Sequence, residues 1–544
     1  MNKSKDNSLN EIKESITQKQ SFILEAGAGS GKTWSLVESL KYIIENNGIN
    51  LAKENKKIAC ITYTNVAANE IMERVDNNPL VFVGTIHNFL WSIIGQYTED
   101  LKLALLEYNE TLSIDKKIPE LKEGLKSIKK IEYNQYKRDY LSGQLWHDDI
   151  ITISKILFDK SKKLALFTIN EYPFIFVDEY QDTFPKVIDV LLKDIYLRFR
   201  EKVVIGFFGD SMQKIYDRGV GKIDLTDYPE ILKITKQDNF RCSKEVIRLL
   251  NNIRPELVQK PSGNNVEGKI SFYYNSRYST EKALIEDLKE QGWIFNDNKS
   301  KVLYLTHRKI AVHGGYEDIL NAFPDRERFF DRGYLFSALL FEIEDVCRSY
   351  SENDYSTLFT RLSSNGYKIK RHSDKKIIRE YISCLDKYRI DRTIQETLDF
   401  IVENPIQIFQ IQDYLIFLNN IDSEEMKSNK SIYENIKHLY FKQVTNCYNY
   451  IEKNTIYSTK HGVKGTEFDN VLVIVDDNAW RNFNDNEVFS NNKNNATRYD
   501  RSRNLLYVCC SRPKKRLVLY AITPMSKEAQ NTITKWFGEN NVYY

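Results

Sequence analysis

The segment AGAGSGKT, Ala26 to Thr33, constrains this chain more than any other feature. An apolar run, FILEAG (22–27), leads into it, and the helical pattern WSLVESLKYII follows. Glycines at such a turn let successive backbone N–H groups converge on one phosphate, and the helix that opens behind them adds the positive end of its dipole. In this pattern Ala26, Gly27, Ala28, Gly29, Ser30 and Gly31 form the cradle, with Ala26 standing where glycine is usual. Lys32 is expected to reach the β- and γ-phosphates of ATP, and the Thr33 hydroxyl to ligate Mg²⁺. A strand that feeds a phosphate loop and then a helix also implies a parallel, doubly wound α/β sheet.

Other apolar runs fall into two sets. The first comprises FILEAG, KIACITY (57–63), FIFVDE (174–179) and VVIGFFGD (203–210). The second comprises KVLYLTH (301–307), TIYST (455–459), VLVIVDD (471–477) and RLVLYA (516–521). Runs this apolar suit strands buried on both faces, so two α/β units are expected. A chain of 544 residues, 42% of them hydrophobic, has room for them. Between members of each set lie long segments with helical periodicity, 92–165 and 313–451, which read as insertions because structureless loops of that length are uncommon. The Asn-rich stretch 482–496 reads as an exposed loop.

Composition narrows the setting. Seven cysteines, none in CxxC spacing, argue against a disulfide framework or an iron–sulfur site. No stretch approaches the roughly twenty apolar residues that span a bilayer, so a cytoplasmic protein without membrane contact is expected. The net charge of +3 neither demands nor excludes nucleic acid.

The run FIFVDEYQD (174–182) places two carboxylates at the end of a buried strand, the edge where ligands of such sheets bind. Asp178 is expected to hold Mg²⁺, and Glu179 to orient or deprotonate an attacking water. A DE pair alone is also consistent with a helix cap. Its pairing with the phosphate loop makes the catalytic reading specific.

In order along the chain, AGAGSGKT, TYTNVAANE (62–70), GTIH (84–87), VDEYQD (177–182), GDSMQKIY (209–216), NFRC (239–242), TKHGVKGTEFDNV (459–471) and YVCCSR (507–512) resemble the motifs of the UvrD/Rep/PcrA-like superfamily 1 DNA helicases. The resemblance covers roughly half to three-fifths of the chain and leaves out the helical segments. It implies an α/β fold of two RecA-like P-loop domains, each with a mainly helical insertion. The first domain would take 1–91 and 166–228, with 92–165 as its insertion. The second would take 229–312 and 452–544, with 313–451 as its insertion.

Residue by residue, the resemblance implies that Gln213 senses the γ-phosphate and that Arg241 and Arg512 stabilise charge on it. Phe240 would stack on the base, and Glu467 would contact the nucleotide. Tyr63, Thr64, Asn65, Thr85, His87, Tyr216, Arg218 and His461 match positions that face single-stranded DNA. Activity would be 3′ to 5′ translocation or unwinding on single-stranded or partly duplex DNA.

Some positions depart from the family pattern. The segment QKIYDRG (213–219) is one residue short and lacks an aromatic that stacks on DNA, although Tyr216 and Arg218 remain. Lys13 stands where a glutamine usually reads adenine, and Gln18 or Gln20 would need a shifted register. Arg501 and Ser502 replace acidic residues before the last motif. Two basic stretches, 122–140 and 368–380, would add salt-sensitive grip if they neutralise phosphate, although solvated helix faces give the same pattern. No carboxylate-plus-lysine nuclease cluster follows Arg512. A compact chain of this kind resembles the helicase half of bacterial defence or repair systems, in which a separate nuclease of the OLD family cuts. The alternative to a motor is therefore a DNA-sensing ATPase that regulates such a partner.

Overall fold

The computed structural model describes residues 7–114, 116–134, 138–278, 280–296, 299–364, 366–367, 369–404, 406, 409, 411–452 and 455–544. Residues 135–137 and 368, which belong to the two basic stretches, lie outside them.

The first sheet has six strands: β1 (Phe22–Ala26), β2 (Ile58–Thr62), β3 (Val81–Thr85), β4 (Phe174–Asp178), β5 (Val204–Gly209) and β6 (Leu232–Lys236). Their order is β3-β2-β4-β5-β1-β6, and the neighbours run parallel. Successive side chains of a strand point to opposite faces. Phe22 and Leu24 of β1 and Phe176 of β4 therefore join one apolar cluster, together with Leu36, Leu40 and Ile43 of the helix Lys32–Lys53. Ile23, Ile175 and Val177 face the other way. They pack with Leu101, Leu105, Ile150 and Phe158 from the helices of the 92–165 segment. Both faces are covered, which is why β1, β4 and β5 are apolar apart from Glu25 and Asp178.

The second sheet comprises β7 (Lys269–Tyr274), β8 (Ser300–Tyr304), β9 (Tyr457–Thr459), β10 (Phe468–Val475), β11 (Pro513–Ala521) and β12 (Val542–Tyr543). Its order is β9-β8-β10-β11-β7-β12. Counted from its own first strand, this is the connectivity of the first sheet. Val302, Leu472, Ile474, Val518 and Tyr520 of this sheet share a core with Phe336, Leu340, Tyr381, Phe417 and Tyr448 of the helical segment between β8 and β9. The two parallel sheets with one connectivity make this a mixed α/β fold of two RecA-like halves.

By compactness the chain divides into one unit of residues 1–270, 482–516 and 527–541, and a second of 271–481, 517–526 and 542–544. The stretch 482–496 differs from the expected loop. Asp485–Phe489 is helical, Val488 and Phe489 are buried, and the Glu487 carboxylate is bound by Arg498. Within 482–496 only Asn482 and 491–496 are exposed. An apolar pair inside the Asn-rich run supplies the burial that composition concealed. All seven cysteines are free thiols.

Candidate nucleotide site

The phosphate loop runs from the end of β1 to the helix that begins at Lys32, with Gly29 and Gly31 at φ 71° and 80°. Three side chains from distant segments hold it. The Ala28 N–H donates to the Tyr507 hydroxyl at 3.1 Å, and its carbonyl accepts from Asn239 Nδ2 at 3.0 Å and Gln259 Nε2 at 2.9 Å. A Cβ on Gly27 would lie 2.2 Å from Gln259, and one on Gly29 would lie 2.8 Å from Arg241 Cβ. Gly29 therefore needs glycine for conformation and for close approach, and Gly27 for the space that the Gln259 side chain occupies. Within the loop the Ser30 hydroxyl is buried without a hydrogen-bond partner. A buried orphan donor of this kind suits an arriving anionic oxygen.

The end of β4 lies beside the loop. Lys32 Nζ donates to Glu179 Oε2 at 3.0 Å, and Gln181 Nε2 donates to the same oxygen. Glu179 adopts the left-handed backbone conformation, φ 49°. Its N–H donates to Asp178 Oδ1 at 3.0 Å. Burial and then the adjoining Glu179 carboxylate push Asp178 up to about 7. Burial opposes the charge on Lys32, but Glu179, Asp210 and Asp178 outweigh it and raise its pKa. Two adjacent carboxylates sharing one ammonium, with Thr33 at the head of the facing helix, form an oxygen-donor set of the kind a divalent cation takes.

Arg512 is 1% exposed and lies in the same compact unit as the loop. Its guanidinium donates to Gln213 Oε1 at 3.3 Å, to Ser511 Oγ at 2.7 Å and to the Val508 carbonyl at 2.9 Å. Burial and then the charge of neighbouring Arg241 lower it to about 10. Arg241 also belongs to this unit and donates to the Ser511 carbonyl at 3.4 Å. Two guanidiniums close enough to repel, beside a loop of inward N–H groups, form a strongly anion-attracting locus. Phe240, half exposed, donates its N–H to the Gly29 carbonyl at 2.9 Å and sets its ring beside Gly31.

The residues matched to a DNA face are placed as follows. Tyr63 and Tyr216 are both exposed and nearly parallel, with ring centroids 6.2 Å apart and 13° between planes. Thr64 and Thr85 cap helices, accepting from the N–H groups of Ala67 and Asn88, and Asn65 is the first residue of the helix Asn65–Arg74. His87 is half-buried against His147, 4.5 Å between rings. Burial and then His147 lower it to about 4, so it is neutral at neutral pH. Arg218 pairs with Asp148 at 3.5 Å. Glu467 and His461 belong to the second unit: Glu467 is exposed just before β10, and His461 lies 6.2 Å from the Trp480 ring. Among the described residues no cluster of three His, Cys, Asp or Glu side chains forms a metal site by itself.

Residues 8–144 and 133–224 match the family model described as the UvrD/REP helicase N-terminal domain. This stretch is similar to the N-terminal domain of UvrD/REP helicases. It is 28% identical to Gabija protein GajB of Bacillus cereus (strain HuB5-5), in an alignment that takes in 99% of this chain and 98% of that protein. It is 27% identical to ATP-dependent DNA helicase PcrA of Staphylococcus aureus over 54% of this chain, which spans 46% of that helicase. Among solved structures, a Pif1 helicase from Candida albicans matches at a TM-score of 0.29 and 15% identity, covering 59% of this chain and 55% of that one. The match to the UvrD/REP helicase N-terminal domain supports a helicase-type ATPase. Among the described residues no helix is long and apolar enough to cross a membrane.

Sequence reading passed over the side chains that shape the UvrD/REP loop from outside it: Asn239, Gln259 and Tyr507, and a buried group made of Glu25, Asp210 and Arg254. One signal was available. Glu25 is a carboxylate inside the apolar strand FILEA, and a charge at such a position requires a partner.

Proposed function

We propose that this chain is an ATP-dependent translocase or helicase that moves on single-stranded DNA, 3′ to 5′, in the cytoplasm. One observation carries the reading. A single compact unit brings the Lys32–Glu179–Asp178 cluster, Gln213, Arg241 and Arg512 to one glycine-rich loop. Lys32 would bind the terminal phosphates of ATP, and the loop N–H groups with the Ser30 hydroxyl would surround the others. Thr33 and Asp178 would hold Mg²⁺, which supplies charge neutralisation on the transferred phosphate. Glu179 would hold the attacking water and take its proton once ATP draws Lys32 away. Arg241 and Arg512 would stabilise the charge that develops on the phosphate, and Gln213 would link that event to the following segment. Phe240 would contact the rest of the nucleotide.

Glu179→Gln is expected to bind ATP and hold it unhydrolysed, because the amide keeps the shape and loses the base. Filter retention of radiolabelled ATP, with release measured as ADP, checks this. Rapid turnover by the variant would remove Glu179 from the chemistry.

On the DNA side, Tyr63 and Tyr216 would offer their near-parallel rings to bases, with Thr64, Asn65, Thr85, His87 and Arg218 along the strand. Aromatic stacking is worth ~1–3 kcal/mol per base and tolerates any sequence, as a motor requires. Tyr216→Ala should therefore lower DNA-stimulated hydrolysis by about five- to a hundredfold and leave basal hydrolysis nearly unchanged. Equal loss in both assays would mark Tyr216 as structural.

The shortened segment around Tyr216 favours a second reading, a DNA-sensing ATPase that controls a partner nuclease of the OLD family. The first helical segment supports it by presenting exposed Leu103, with exposed Phe167 just beyond, along an apolar groove. Strand displacement against DNA-stimulated hydrolysis separates the two readings. Co-purification of the natively expressed protein tests the partner; elution alone at monomer mass would dismiss it.

A further inference from the structure

Arg254 follows the helix Lys244–Ile253 and is 4% exposed. One guanidinium nitrogen donates to Glu25 Oε1 at 2.5 Å. The other donates to Asp210 Oδ1 at 2.6 Å and reaches the Tyr507 hydroxyl at 3.5 Å. Glu25 also accepts from the Tyr180 hydroxyl at 2.5 Å and from Ser211, through its N–H at 3.0 Å and its hydroxyl at 2.6 Å. Burial would raise Glu25; Arg254, Ser211 and Tyr180 outweigh it and hold the carboxylate below its usual range.

Each partner of Arg254 leads to a different part of the nucleotide site. Glu25 precedes Ala26, the first residue of the phosphate loop. Tyr507 holds the Ala28 N–H. Asp210 opens the turn Ser211–Gln213, accepting from Met212 N–H at 3.1 Å and Gln213 Nε2 at 2.7 Å, and Gln213 in turn accepts from Arg512. Three residues beyond Gln213 stands Tyr216. Stability alone does not demand such a group, because a buried ion cluster is often no more stable than apolar side chains of the same volume. What a forked, charge-assisted pair adds is direction. Glu25, Tyr180, Ser211 and Arg254 also line a cavity of about 860 Å³, so one side of the cluster is not jammed against core and the turn has room to shift.

We propose that Arg254 is a positioning residue that couples occupancy of the Tyr216 segment to the phosphate loop, by holding Glu25 and Asp210 on one guanidinium. The proposal rests on the DNA-stimulated ATPase reading above. A push on the 211–216 turn is carried through Asp210 to Arg254, and from there to Glu25 and Tyr507, which bracket the loop.

Steady-state ATP hydrolysis is measured with and without a saturating oligo-dT strand for wild type, Arg254→Met, Arg254→Lys and the double variant Glu25→Met/Arg254→Met. In Arg254→Met the DNA-stimulated kcat is expected to fall by about tenfold or more, with basal kcat, ATP KM and oligo-dT Kd within about threefold. Arg254→Lys keeps the charge without the fork and should recover only part of the stimulation. The double variant removes the unpaired Glu25; its melting temperature should return toward wild type while stimulation stays lost. It also serves as the reading if the single variant does not fold. Equal loss of basal and stimulated rates, or recovery of stimulation together with stability in the double variant, would overturn the proposal. A wild-type protein that DNA does not stimulate would instead overturn the ATPase reading, and the proposal with it.

Discussion

Lys32→Ala will abolish ATP hydrolysis while leaving affinity for single-stranded DNA within about threefold of wild type. The ammonium is buried, bound to Glu179, and surrounded by Asp178 and Asp210. Removing it takes away the ammonium that binds Glu179 and lies near Asp178, so an incoming polyphosphate would meet poorly balanced negative charge there. Tyr63 and Tyr216, by contrast, follow β2 and β5, lie nearly parallel to each other and keep their exposed rings. The expected loss of kcat is on the order of a thousandfold, comparable to removal of other phosphate-stabilising cations in NTPases. Hydrolysis assays with fluorescence anisotropy on a labelled oligonucleotide check both halves. A variant that turns over ATP near the wild-type rate would end the phosphate-loop assignment.

Arg512→Ala and Arg241→Ala are expected to lower kcat by roughly 10³-fold or more while raising the Kd for ATP by less than about tenfold. The reason is geometric. Arg512 is wholly buried, and burial and Arg241 both disfavour its charge, so the free site holds two cations under mutual repulsion. An anion relieves that repulsion, and most of all when its charge peaks in the transition state. Arg512→Lys should not rescue, because one ammonium cannot keep the contacts to Val508, Ser511 and Gln213 at once. If both alanine variants retain most of their activity, the arginines are structural and the mechanism above fails.

What was legible in the sequence was local. β1, β4, β5 and β10 read as strands because both faces are buried and nearly every position is apolar, with Glu25, Asp178, Asp469 and Asn470 as exceptions. β6 (LKITK) escaped notice because it is an edge strand in which exposed Lys233 and Thr235 alternate with buried Ile234 and Lys236. β7 and the two-residue β12 carry no comparable run. The phosphate loop and the Asp178–Glu179 pair were legible because their geometry is set by neighbours in sequence. Glu25, Asp210 and Arg254 were not, since the pairing of 25 with 254 spans 229 positions and no spacing rule reaches across it. The same holds for Gln259, whose role is visible only from the space that Gly27 leaves for it.

The first compact unit is assembled from pieces at both ends of the chain, and Ala28 is tethered by a hydroxyl 479 positions downstream. A ribosome therefore delivers the phosphate loop early and its bracing tyrosine and arginines late. Until residues 507–512 emerge, the nascent chain holds Lys32 and the carboxylates without Tyr507 or Arg512. Such a chain has the means to take up nucleotide and lacks a residue proposed to break it down. Under the proposed mechanism, a chain cut short before residue 507 would hold nucleotide and lack the arginine that promotes its hydrolysis.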